Sequence, residues 1–88
     1  MANALDIGEI FGRVLHRCRK NAKLSQEELA DRAGLDRTHI SRLERGVQQP
    51  TIATLIELAI ALDVPAADIA CATEAEVRKG RGRKGRKA

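Results

Sequence analysis

The most constraining feature of this sequence is a pair of short helical segments punctuated on every side. Ser25 and Glu28 form the capping pattern S-x-x-E, and Leu24 and Leu29 are placed to staple across it. The segment that follows, residues 26–33, ends at Gly34, which can take the left-handed conformation that stops a helix. Only Gly34-Leu35-Asp36 separate it from the next start, where Asp36 is a good N-cap, and Gly46 is the next stop. Each segment is too short to be stable alone and must bury its apolar residues against neighbours.

The neighbours are legible. Asp6 with Glu9 predicts a helix start, and Ile7, Ile10, Phe11, Val14, Leu15 and Cys18 recur at helical spacing to about Ala22. Gly8 and Gly12 weaken that helix by about 1 kcal/mol each. After Pro50, Thr51 caps a fourth helix whose Ile52, Leu55, Ile56, Leu58, Ala59 and Leu62 predict a broad core-facing side. Asp63-Val64-Pro65 breaks it, and Ala66–Cys71 predicts a short fifth helix. The expected fold class is all-α, a compact bundle of about five short helices with a helix-turn-helix formed by the second and third. The expected organisation is a domain over residues 1–73 and a flexible basic tail over 74–88, where Gly80, Gly82 and Gly85 alternate with charge.

Composition bounds the function. The chain of 88 residues has one Phe and no Trp or Tyr, so its core is aliphatic and small, and dimerisation is expected to add buried surface. Its two cysteines are too few for a disulfide scaffold, Cys18 reads as a small core residue, and neither pairs with His16 or His39 at metal spacing; no metal or cofactor is expected. Met1–Leu5 lacks the pattern of a secretion signal and no run is long enough to span a membrane, which predicts a cytoplasmic protein. The net charge of +4 is unevenly placed: residues 78–88 carry seven basic residues and no acid, so residues 1–77 carry nine basic against twelve acidic, a net −3. A tail of that kind suits a polyanion. No nucleophile–base pair or ligand cluster sits on a plausible pocket, so no enzyme is expected.

On a helical wheel of the third helix, Ile40 and Leu43 face the core, while Thr38, Ser41, Arg42 and Arg45 lie opposite. A face of Arg, Thr and Ser without acids suits a DNA major groove, where Arg pairs with guanine and Thr bonds an edge or touches a thymine methyl. Arg37 lies off that face but in the first turn, the end that enters the groove. The bland reading of such a face, taken alone, is a solvated surface.

Residues 10–70 resemble the lambda-repressor-like, Xre/Cro-type helix-turn-helix family. The resemblance is carried by Leu24-Ser25-Gln26-Glu27-Glu28-Leu29-Ala30, by Gly34, by Ile40-Ser41-Arg42-Leu43-Glu44-Arg45-Gly46, and by Pro50-Thr51 with Leu55–Leu62. It implies that Gln26 grips a DNA phosphate, aided by a helix N-terminus. It implies base reading by Arg37, Thr38 and Arg42, with Asp36, Ser41 and Arg45 as secondary candidates. It also implies that the loop at Gly46, Val47 and Gln48 meets phosphates, and that Arg19 and Glu44 form a salt bridge tying the first helix to the third. Asp63 replaces a frequent Gly, and Pro65 with an Ala-rich fifth helix leaves the dimer geometry open. In the tail, Arg81 and Arg83 are expected to touch phosphate, and Arg81-Gly82-Arg83 faintly resembles a minor-groove hook without its Pro.

The function implied is a homodimeric, sequence-specific regulator of transcription on double-stranded DNA, reading a roughly palindromic operator. A regulatory protein partner is compatible with it. The alternatives are a protein-interaction or antitoxin-like adaptor using the same fold, and a non-specific DNA binder driven by the tail.

Overall fold

The computed structural model describes the backbone of residues 6–85 and the side chains of residues 6–81. Five helices follow one another: α1 (Ile7–Asn21), α2 (Gln26–Ala33), α3 (Arg37–Glu44), α4 (Ile52–Leu62) and α5 (Ala66–Gly85). No strand occurs among the described residues.

The starts and stops follow the local chemistry. Asp6 accepts from the backbone N–H of Gly8 and Glu9 at 2.9 and 3.4 Å. Ser25 and Glu28 close both halves of the capping box, at 3.0 and 2.8 Å. The carboxyl of Glu28 is held below its ordinary range by its bonds with the backbone and hydroxyl of Ser25. Gly34 ends α2 in the left-handed conformation, φ +73°, and Leu35 N–H then reaches back to Ala30 O at 2.8 Å. Asp36 is the N-cap of α3 but makes no side-chain capping bond. Thr51 caps α4 through the N–H of Thr54 at 3.0 Å. Asp63 ends α4 at φ +61°, a conformation that costs an L-residue more than glycine.

The core is aliphatic. Leu15, Leu29, Ile40, Leu43 and Leu58 are fully buried, with Val14 and Ile69 nearly so, and Phe11 packs with them. Leu24 and Leu29 both join this cluster, and Cys18 packs against it half-buried, its thiol pushed up by burial and only partly opposed by Arg17. Gly12 has a packing reason to be glycine: a Cβ there would collide with Glu44 O and stand 2.6 Å from Leu43 O. The C-terminal end of α3 is thereby seated directly on α1.

Two expectations need correction. The fifth helix does not stop at Cys71; it continues to Gly85. A sparse stripe holds it, since Ile69, Thr73 and Val77 are buried at four-residue spacing and Thr73 Oγ donates to Ile69 O at 2.9 Å. Good helix formers fill the gaps as far as Lys79, with Glu74 and Arg78 pairing at 2.8 Å one turn apart, whereas Gly80, Gly82 and Gly85 disfavour the last turns. Residue 73, where the sequence placed the end of the domain, is therefore a buried position inside α5. The second correction concerns α4. Ile52 and Ile56, expected in the core, are 72% and 45% exposed, in line with Ile60 at 69%. Leu58, Ala59 and Leu62 fill the inward side, and so the helix presents a second apolar face outward.

Candidate nucleic-acid interface

Three elements meet where α3 joins α1 and α2, and one carboxylate holds them. The Glu44 side chain is 5% exposed. Arg19 Nε donates to its Oε2 at 2.6 Å and Arg19 Nη2 to its Oε1 at 3.1 Å, while Arg19 Nη1 donates to Leu24 O at 2.8 Å. The expected pair is thus present, buried, and tied to the turn before α2 as well. Burial by itself would raise the Glu44 pKa, but hydrogen bonds from Arg19, His16 and Gln26 outweigh it and hold the carboxyl below its ordinary range. Arg19 is raised in turn, first by its hydrogen bond to Glu44, against the cost of burial.

Two members of this network were not legible as such. His16, expected on the surface, does expose half its side chain, yet its Nδ1 lies 3.0 Å from Glu44 Oε1. With Nδ1 protonated it donates to Glu44; in the other tautomer Nδ1 accepts from Arg19 Nη2 at 3.2 Å. Gln26 Nε2 donates to the same Oε1 at 3.1 Å. One N–H of the Gln26 amide is therefore fixed inward, and the other is left to point from the N-terminus of α2.

Around this hub stands α3. Ile40 and Leu43 are fully buried, which locks the rotation of the helix and turns Arg37, Thr38 and Arg42 out to solvent. Ser41 is half-buried, and its Oγ accepts from Arg45 Nε at 3.2 Å, so these two side chains are tied together. Asp36 is exposed at the start of the helix. The loop after α3 turns at Gly46, φ +76°, where a Cβ would stand 2.8 Å from Glu9 Cα. Its backbone donors are engaged within the chain, Gly46 N–H to Leu43 O at 3.2 Å and those of Val47 and Gln48 to Arg42 O at 3.0 and 3.4 Å. What this loop offers outward is the exposed side chain of Gln48, near His39 at 3.5 Å, and that of Val47, 65% exposed. Arg81 is exposed on α5, distant in sequence from this surface, and the side chain of Arg83 lies outside the described residues.

Comparison with known proteins agrees with the geometry. Residues 15–69 match the model of a helix-turn-helix family. The chain belongs to the lambda-repressor-like, Xre-type helix-turn-helix family. It is 37% identical over 70 residues to the uncharacterized HTH-type transcriptional regulator y4dJ of Sinorhizobium fredii, covering 80% of this chain and 91% of that one. A 50-residue stretch is 44% identical to the regulator y4dL of the same organism, covering 57% of this chain but only 26% of y4dL, so the chain spans about a quarter of that relative. Among solved structures it is similar to the restriction-modification controller protein C.AhdI from Aeromonas hydrophila, with a TM-score of 0.68 and 36% identity over 69% of this chain and 92% of that one. The chain accordingly carries the DNA-binding fold of a helix-turn-helix transcription regulator. No helix among the described residues is long and apolar enough to cross a membrane.

Proposed function

We propose that the protein reads a specific double-stranded DNA sequence by placing α3 in the major groove, as a homodimer on a two-fold operator, and so regulates transcription. The carrying observation is the exposed side of α3: Thr38 and Arg42 share a face free of acids and Arg37 is exposed in the first turn beside it, on a helix whose rotation is fixed by two fully buried side chains. In this reading Arg42 and Arg37 bond guanine edges, and Thr38 contacts a neighbouring base. Ser41 and Arg45 act as a tied pair at the far end of the helix, and Asp36 lies at its start. Gln26 grips phosphate with the amide hydrogen that Glu44 leaves free, and the Gly46–Val47–Gln48 loop contributes mainly through the Gln48 amide. Arg81 and Arg83 add phosphate contacts from the C-terminal part of α5.

The outward stripe of Ile52, Ile56 and Ile60 supports the dimer. A groove of about 980 Å³ shares Leu55 of α4 and is lined by Ile7, Phe11, Ala70 and Val77 together with Glu74, Arg78 and Arg81. An exposed apolar stripe of this kind suits burial against a second copy under a two-fold rotation. Dimerisation would set two α3 helices against successive grooves, about 34 Å apart.

Selection of bound duplexes from a random library, with the full chain at near-physiological salt, tests this. An enriched two-fold sequence is the expected outcome, and Arg42→Ala should then cost about 1–3 kcal/mol on that sequence and relax its preference at one position. Measurable binding with no enriched sequence would overturn specific reading.

A further inference from the structure

A second charged surface lies apart from the recognition helix. Residues 76–80 of α5 run along residues 10–17 of α1, and the two helices enclose an open cleft of about 330 Å³. Its floor is Ile10 and Val14, both buried; its walls are Arg13, Arg17, Lys79, Gly80 and Glu76. Glu76 pairs weakly with Lys79 at 3.7 Å. Arg13 and Arg17 make no ion pair among the described residues, although they are exposed and one helical turn apart. Like charges at that spacing destabilise a helix by a few tenths of a kcal/mol, and Lys79 adds to the repulsion. The chain thus gathers three cations against one acid, and two of the cations have no ion-pair partner among the described residues.

The position of the cleft matters. On α1, Gly12 and His16 face α3, while Ile10 and Val14 face α5. Arg13 and Arg17 fall between those edges, on the solvent side that leads from α3 to α5. Along α5 the sequence then adds Arg81, Arg83 and Lys84 without an acid.

We propose that this α1–α5 seam is a second binding surface for the duplex DNA backbone, in which Arg13, Arg17 and Lys79 contact phosphates flanking the segment read by α3. The proposal rests on the DNA-binding reading above and adds to it residues of α1 that lie outside the helix-turn-helix. Phosphate fits better than the other polyanionic or acidic partners. The seam exposes no apolar anchor of the kind that supplies most of the energy of a protein interface. The chain has no Tyr or Trp, and its one Phe is buried, so no aromatic platform exists for single-stranded bases. Exposed cations, Arg13 and Arg17 without an ion-pair partner among the described residues and Lys79 only weakly paired, are what sequence-independent backbone binding uses.

The test is the salt dependence of binding by the full chain, measured on the selected operator in a long duplex and on a random duplex of equal length. Arg13→Gln/Arg17→Gln should lower the slope of log K against log salt by about 2 on both duplexes and weaken binding by about tenfold at low salt. Its preference among sequences should be unchanged, and its melting temperature unchanged or raised, since repulsion is removed. Arg17→Gln alone should lower the slope by about 1. An unchanged slope and affinity would overturn the proposal and leave the cleft to an acidic protein surface or to solvent. A wild-type protein with no sequence preference would sink the regulatory reading instead, while the random duplex would still report on the seam.

Discussion

Replacing Arg19 by Met should be among the most damaging single changes in this chain. The guanidinium makes two bonds to Glu44 and one to Leu24 O, and the residue is 7% exposed. Removing one partner of a buried pair costs about 3–5 kcal/mol, because the other charge stays buried without compensation. Gln26 and His16 still donate to Glu44, which sets this case near the lower end. The orphaned Leu24 carbonyl adds about 1 kcal/mol. A loss of about 3–4 kcal/mol is then expected, from a total of roughly 4–13 kcal/mol for a domain of this length. Urea denaturation at pH 7 and fixed protein concentration reads it, and the melting temperature should fall by about 15–25 °C. The double variant Arg19→Met/Glu44→Leu should recover to within about 1 kcal/mol of wild type, since no charge is then stranded. Acid should remove part of this stabilisation. Because the folded Glu44 pKa is lowered, its ionisation stabilises the fold above the ordinary carboxylate range, and that contribution is lost as pH falls through the lowered value. The gap between wild type and Glu44→Gln should therefore close below about pH 4. A loss under about 1 kcal/mol for Arg19→Met at pH 7 would mean that solvent screens the pair and that its burial costs little to break.

Three further outcomes are expected. Gly12→Ala should lose about 2–3 kcal/mol in the same denaturation assay, despite the helix propensity of Ala, because the new methyl meets the backbone carbonyls of Leu43 and Glu44 rather than a movable side chain. Asp63→Gly should raise the melting temperature modestly, by about 0.5 kcal/mol of stability, as the left-handed φ of +61° is relieved and part of the gain is returned as unfolded-chain entropy. In the proposed homodimer, Ile56→Glu/Ile60→Glu should halve the sedimenting mass without unfolding the chain, since both side chains are already exposed in the single copy; a wild-type dimer mass kept by the variant would remove α4 from the proposed contact.

The order of the five helices, and the termini of the first four, could be read from local chemistry; the end of α5 could not. Caps and stops act over a few residues, so Asp6, Ser25, Gly34 and Thr51 announce themselves wherever they occur. The outward face of α3 was also legible, because Ile40 and Leu43 fix its rotation by spacing alone. Periodicity was a poorer guide where a helix is apolar all round or only thinly apolar. In α4 it could not say which isoleucines the core would take. In α5 the stripe of Ile69, Thr73 and Val77 is too sparse to stand out, and it becomes a stripe only because α1 lies beneath it.

Short-range physics encodes the termini of the first four helices, the tight turn between α2 and α3, and the polarity of the face that α3 presents, and these stand in the sequence. Everything that depends on two distant segments being near each other appears only on folding. The bonds of His16 and Gln26 to Glu44 span 28 and 18 residues. The cleft that gathers Arg13, Arg17 and Lys79 exists because Val77 packs α5 down. The close approach at Gly12 depends on where α3 happens to end. Such contacts arise from the packing of whole helices, and no window along the chain contains both partners.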